Sequence, residues 1–128
     1  MIKSILSRAA LLAGIAAVTL AFSGCDAWQV ACTEEFRSVT IELTGGDPDD
    51  FYTLRSSNRD TLRFPNEFPG DLYTVIDDSW QEELEGSEEE FVFEAIVNGT
   101  VVVKETYVIE ADLCHINKVS GAESASLN

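Results

Sequence analysis

The sequence predicts an all-β domain, an antiparallel β-sandwich of about seven strands, behind a cleaved N-terminal signal peptide. Segments with apolar residues at every second position recur between residues 36 and 119, which is the period of a half-buried strand. Turn-forming residues separate these segments at short intervals, and no long segment after residue 24 is convincingly helical. We therefore divide the chain into a signal peptide (1–24), a tether (25–35), a β-sandwich domain (36–120) and a polar tail (121–128) that we expect to be frayed.

The N-terminal segment has the composition of a secretory signal. Lys3 and Arg8 are its only charged residues, and an apolar run of 14 residues, 9–22, follows them. A membrane-spanning helix needs about 20 apolar residues. The run therefore predicts a cleaved signal peptide rather than a retained membrane helix.

The end of this run resembles the lipobox of bacterial lipoproteins, in which signal peptidase II cleaves before a cysteine that carries acyl chains such as palmitate. Ser23, Gly24 and Cys25 match the motif, whereas Phe22 stands where leucine is usual. The resemblance implies lipidation of Cys25 and a secreted protein anchored in the bacterial cell envelope, in the outer or inner membrane, periplasmic or surface-facing. The alternative is ordinary cleavage near Ser23, with Cys25 as a plain thiol.

The cysteine count favours the lipobox independently. The chain has three cysteines, Cys25, Cys32 and Cys114, and an odd count in an oxidising compartment leaves a reactive thiol. If Cys25 is acylated, Cys32 and Cys114 remain as a pair, and we predict a disulfide between them. The absence of a CxxC motif and the presence of a single histidine argue against a zinc site.

Charge restricts the partners. The chain has 23 acidic and 8 basic residues, and loss of residues 1–24 removes Lys3 and Arg8 and no acid, so the net charge changes from −15 to −17. Such a charge opposes binding to nucleic acid and to anionic lipid. We expect the lipid anchor to hold the protein on the membrane, and an envelope protein or glycan to be the further partner.

Seven segments are predicted as strands because each alternates or is short, apolar and bounded by turn residues. They are residues 36–44, 51–55, 61–64, 72–76, 91–97, 101–109 and 113–119. In the first, Val39, Ile41 and Leu43 share one face. In the acidic stretch 77–90, Ser79 and Glu82 have capping-box spacing and predict a short helical turn ended by Gly86.

The clearest hairpin is centred on Asn98-Gly99-Thr100, because Asn-Gly between apolar runs is a strong hairpin signal. A two-residue loop would place Glu94 opposite Val103. A three-residue loop with a bulge at Gly99 or Thr100 would pair Val97 with Val101, Ala95 with Val103 and Glu94 with Lys104. We favour the second loop, because it groups apolar residues and pairs opposite charges across the strands.

Strands of this length and spacing indicate an immunoglobulin-like or transthyretin-like topology. Residues 32–41 (CTEEFRSVTI), 70–75 (GDLYTV) and 114–121 (CHINKVSG) resemble small bacterial lipoproteins with a carboxypeptidase-regulatory-like (transthyretin-like) domain. The turn that such domains have after the first strand is matched only loosely by Gly46-Asp47-Pro48. The resemblance implies a non-catalytic accessory module of the envelope and supplies no site residues.

The sequence does not predict an enzyme. His115 is the only histidine, it directly follows Cys114, and no Gly-x-Ser-x-Gly motif accompanies it, so we expect a structural or exposed role. We expect no cofactor. The most favoured function is a non-catalytic envelope β-sandwich with an interaction or structural role.

A calcium-dependent carbohydrate-binding module is the alternative function. Asp47, Asp49 and Asp50 lie on one predicted loop, and Ca²⁺ prefers several oxygen ligands on a flexible turn. Tyr73 and Trp80 are candidates for an aromatic platform that would contact a sugar or peptide. A polar turn and a buried Tyr73 are the plainer interpretations of the same residues.

Overall fold

The computed structural model describes residues 31–128, so the predicted signal peptide, Cys25 and most of the tether lie outside the described residues. This part of the chain forms eight strands and one short α-helix, which confirms the all-β class. They are β1 Ser38–Thr44, β2 Asp50–Arg55, β3 Thr61–Leu62, β4 Leu72–Asp77, α1 Gln81–Leu84, β5 Glu88–Val97, β6 Thr100–Ala111, β7 Ile116–Ser120 and β8 Ser124–Ser126. None of the helices in this part is long and apolar enough to cross a membrane.

The strands form two sheets. The first has the order β4-β1-β8, in which β1 is antiparallel to β4 and parallel to β8. The second has the order β3-β2-β5-β6-β7 and is antiparallel throughout. Neighbouring strands of the second sheet are also consecutive in the chain, except for β2 and β5.

Both sheets contribute to one hydrophobic core. Ile41 and Leu43 of β1 are fully buried, as the alternation predicted, while Glu42 and Thr44 between and after them are exposed. The hydroxyl of Thr53, on β2, donates to the carbonyl oxygen of Val75, on β4, at 2.6 Å and so links the two sheets. The buried apolar set is Ile41, Leu43, Leu62, Tyr73, Val75, Ile76, Leu84, Phe91, Phe93, Ala95, Val103, Tyr107, Ile109, Ala111 and Ile116.

The β5–β6 hairpin corrects the favoured loop length. Its loop has two residues, because Val97 pairs with Thr100, and Asn98 and Gly99 have the positive φ values of 50° and 76° that tight hairpin turns need. A register shift between Ala95 and Ile96 then restores the pairs Ala95–Val103 and Glu94–Lys104. The extra residue therefore lies within β6, at Val102, and not in the loop.

The helical turn after β4 has a different cap from the one that the sequence suggested. The carboxylate of Asp77 accepts from the backbone N–H of Ser79 at 3.0 Å, so Asp77, and not Ser79, is the N-cap of a 3₁₀ turn over Asp78–Trp80. Helix α1 follows directly and has no side-chain cap of its own. Aspartate is as good a cap as serine, and here it precedes the turn by one residue.

The C-terminal residues are not a frayed tail. Residues 124–126 form β8, which pairs with Glu42, Leu43 and Thr44 of β1. The backbone N–H of Leu127 donates to the carbonyl oxygen of Thr44 at 2.9 Å, and Leu127 packs against the core. Small polar residues pair here because a neighbouring strand offers free backbone groups, which composition alone does not reveal.

Candidate functional site

The predicted disulfide is present and joins the two sheets near one end of the domain. Cys32, before β1, and Cys114, before β7, are bonded with their Cα atoms 5.3 Å apart, and they lie 82 positions apart in sequence. Because β1 belongs to the three-stranded sheet and β7 to the five-stranded sheet, the bond connects the entry segments of both.

A buried carboxylate lies beside this bond. Asp78 accepts from the backbone N–H of Arg37 at 2.7 Å and of Ile116 at 2.8 Å, and it contacts Nδ1 of His115 at 2.7 Å. Burial alone would raise the pKa of Asp78, but these three donors together hold it below its ordinary value. Asp78 is therefore ionised at neutral pH and acts only as an acceptor.

The ionised carboxylate fixes the tautomer of His115. Since Asp78 can only accept, Nδ1 of His115 carries a proton, and in the neutral ring Nε2 is free to accept the hydroxyl of Thr33 at 3.0 Å. The side chains of His115 and Asp78 are each 8% exposed. The result is a Thr–His–Asp hydrogen-bond chain, which has the connectivity of a nucleophile, a base and an orienting acid.

This chain of hydrogen bonds directly adjoins the disulfide. Thr33 and His115 directly follow Cys32 and Cys114, so their hydrogen bond repeats the disulfide link one residue further on. Two grooves on the described surface, the Trp80 groove and the Phe36 groove, are lined by neither Thr33 nor His115.

Asp112 orders the loop that carries Cys114 and His115. Its carboxylate accepts from the backbone N–H of both residues at 2.8 Å and from the side-chain amide of Asn117 at 3.2 Å. The bonds from Cys114, His115 and Asn117 lower the pKa of Asp112 to about 2. This turn explains why β7 begins at Ile116 and not at residue 113, where the sequence predicted it.

The loop aspartates proposed as calcium ligands have separate partners. Asp47 accepts from the hydroxyl of Tyr73 at 3.4 Å, and Asp49 accepts from the backbone N–H of Asn98 at 2.6 Å. Asp50 forms an ion pair with Arg63 at 2.8 Å. Among residues 31–128 no three His, Cys, Asp or Glu side chains come together as a group that could hold a metal ion.

The proposed aromatic platform is not formed. Tyr73 is buried and packs edge-on against Phe51, with ring centroids 5.0 Å apart. Trp80 is half-buried, packs edge-on against Phe91, and has the guanidinium carbon of Arg55 5.6 Å from the centre of its ring. The two aromatic rings thus serve different parts of the core.

Part of the acidic stretch is paired and not merely solvated. Arg55 binds the carboxylate of Glu89 through two nitrogens, at 2.9 and 2.7 Å, and reaches Glu83 at 3.0 Å. Hydrogen bonding to Arg55 lowers the pKa of Glu89. Arg55 therefore joins Glu83 and Glu89 of the acidic stretch to the ring of Trp80.

Two shallow grooves of about 540 and 520 Å³ lie on the described surface. The Trp80 groove is bounded by Arg63, Phe64 and Trp80, beside the edge strand β3. The Phe36 groove runs along the start of β1 and β7 and includes the aromatic side chains of Phe36 and Phe68. Both combine apolar surface with charges of either sign.

Sequence reasoning missed Thr33 and Asp78 as partners of His115. Asp78 is 37 residues from His115 in the chain and Thr33 is 82 residues away, so no local spacing could reveal the contacts. The one available signal was that Cys32 and Cys114, if bonded, bring their neighbours together.

Comparison with protein-family models, with curated proteins and with solved structures found no match for this chain.

Proposed function

We propose that this protein is a lipid-anchored component of the bacterial cell envelope, in which an all-β domain has a non-catalytic interaction or structural role. Residues 1–24 would be removed on export, and Cys25 would carry the lipid. A short tether would then connect the domain to the lipid on Cys25.

The observation that carries this proposal is the use of the cysteines. The Cys32–Cys114 disulfide uses two of the three cysteines of the chain. Disulfides persist in oxidising compartments such as the periplasm, which supports export. Cys25 is the one cysteine left over, and it lies at the end of the lipobox-like segment, where an acyl group would consume its thiol.

We further propose that the two sheets pack face to face as a β-sandwich of the immunoglobulin-like or transthyretin-like kind. The support is that buried residues of both sheets belong to one cluster, with Ile41 and Leu43 from one sheet and Phe91, Phe93 and Tyr107 from the other. The resemblance to carboxypeptidase-regulatory-like domains stays a prediction.

The non-catalytic role is supported by what the polar residues do. The polar side chains of the Thr–His–Asp chain and of the Arg55 cluster form their hydrogen bonds with other residues of the domain. The surface offers the Trp80 groove and the exposed apolar side chain of Phe36, which suit contact with another molecule better than they suit chemistry.

Replacement of Cys25 by serine tests the anchor. In bacteria fed a labelled fatty acid, we expect Cys25→Ser to lose the label and to leave the membrane fraction, because serine at this position has no thiol to acylate. The matched control is Cys32→Ser with Cys114→Ser, which removes the other two thiols and should keep the label. Continued membrane association of an unlabelled Cys25→Ser protein would contradict the proposal.

A further inference from the structure

Two large apolar side chains flank the disulfide at the end of the domain where the chain enters. Phe36 is 65% exposed and Leu113 is 60% exposed, the two highest values among the large hydrophobic residues of the described chain. Phe36 follows Cys32 by four residues, and Leu113 directly precedes Cys114. The Sγ atom of Cys32 lies 3.7 Å from the carbonyl oxygen of Leu113. Phe36 also lines a groove together with Ile116 and Asn117, which follow Cys114 closely, so both residues lie at the disulfide end of the domain.

The length of the tether limits how far this end can lie from a lipid anchor. Cys32 lies seven positions after Cys25, and an extended chain spans at most about 3.6 Å per residue. The Cys32–Cys114 end therefore lies within about 25 Å of an acyl group on Cys25. The opposite end is farther away, because β6 runs twelve residues from Thr100 to Ala111, or about 40 Å in a strand.

We propose that Phe36 and Leu113 insert into the interfacial region of the phospholipid bilayer that holds the anchor. The domain then stands on the membrane with its disulfide end down and its β5–β6 turn pointing away. The tether supplies proximity, and the two apolar side chains select this orientation, since an aromatic and an aliphatic side chain both gain by leaving water at the headgroup boundary. The inference rests on the lipid anchor proposed above.

Charge selects the kind of lipid. Glu34, Glu35 and Asp112 are exposed near this end, and Arg37 and Lys118 are the basic side chains beside them. With a net charge of −17 after loss of residues 1–24, the domain is repelled by an anionic surface. The matching partner is a zwitterionic phospholipid surface, on which apolar contact is not opposed by that repulsion.

Tryptophan at each end of the domain can report which end meets the lipid. The acylated protein would carry Phe36→Trp, Leu113→Trp or, as the matched control, Val101→Trp, each with Trp28→Phe to remove the tether fluorophore. Val101 is 43% exposed and lies at the far end of β6. Trp80 stays in place as a constant background.

The proteins would be bound to phosphatidylcholine vesicles in which part of the lipid carries bromine atoms in the upper acyl chain. These bromines lie at the depth of ~5–10 Å that interfacial side chains reach. We expect the emission of the introduced side chain in Phe36→Trp and in Leu113→Trp to fall by about half or more on contact with these bromines. The emission from Val101→Trp should stay unchanged.

The outcomes separate the two proposals. If the acylated proteins do not float with the vesicles, the anchor fails and this inference fails with it. If they float but the three positions are quenched equally, or none is, the anchor stands and the inference is overturned. A blue shift at position 36 that grows with protein concentration without lipid would show that a second copy covers this end, and would also overturn it. Two reporters at this end keep the test decisive if one variant does not fold.

Discussion

Removal of the Cys32–Cys114 disulfide should cost this domain a large share of its stability. The bond closes a loop between two cysteines that lie 82 positions apart in sequence. In the chain-entropy model a loop of that size restricts the unfolded chain by about 15 cal/mol/K, or about 4.5 kcal/mol at 25 °C. Domains of this size are stable by only about 5–10 kcal/mol in total. Loss of the bond should therefore leave a marginally stable protein.

The measurement is urea unfolding of Cys32→Ser with Cys114→Ser, followed by tryptophan fluorescence in a Cys25→Ser parent that lacks the third thiol. With a urea m-value of about 1.5–2 kcal/mol/M, the midpoint should fall by ~2–3 M. Thr33→Val is the local control, since it removes only the neighbouring hydrogen bond to His115, worth about 1 kcal/mol. A double variant no less stable than Thr33→Val would refute the loop-closure reasoning.

Three further predictions concern the loops. Gly121→Ala should destabilise the domain by about 1–3 kcal/mol more than Gly46→Ala. The two glycines have similar φ values, +144° and +129°, but only at Gly121 would a Cβ atom overlap the ring of buried Tyr107. Equal melting temperatures of the two variants would contradict this. Asp112→Asn should lower the melting temperature at pH 7, and the difference from the parent protein should shrink as the pH falls from about 4 to 2. The reason is that a carboxylate with a lowered pKa stabilises the fold fully above the ordinary pKa of aspartate, and this stability is lost as the pH falls through the folded-state pKa of about 2. A difference independent of pH would argue against this reasoning. Millimolar Ca²⁺ should not change the melting temperature, because the carboxylate of Asp49 and its loop neighbours have other partners; a rise that Asp49→Asn abolishes would revive the calcium hypothesis.

The β5–β6 hairpin shows how far the sequence determines local structure. Asn98-Gly99 identified the turn, since few other dipeptides accept positive φ at both positions. Charge and apolar matching identified the pairs Ala95–Val103 and Glu94–Lys104. The bulge between these pairs and the turn was not predictable, because it depends on how the strand twists over the core and not on the pairing preferences of any residue.

Long-range contacts account for the rest of what the sequence left open. Of the two expectations for His115, a structural or an exposed role, its buried position excludes exposure. Its partners Thr33 and Asp78 come from segments that only the fold brings together. The clustering of Asp47 to Asp50 in sequence suggested a shared ligand. In the structure the backbone of this loop turns the carboxylates toward different neighbours.

The parallel pairing of β8 with β1 has a consequence for biogenesis. Synthesis delivers β1 first and β8 last, so one edge of β1 has no partner until residues 124–126 have emerged. Neither Cys32 nor Cys114 belongs to this pairing, so the disulfide can close its loop while that edge is still open. An uncovered strand edge is a template for pairing with other chains. A protein that lost its last few residues would thus keep its disulfide, with β1 left open to intermolecular association.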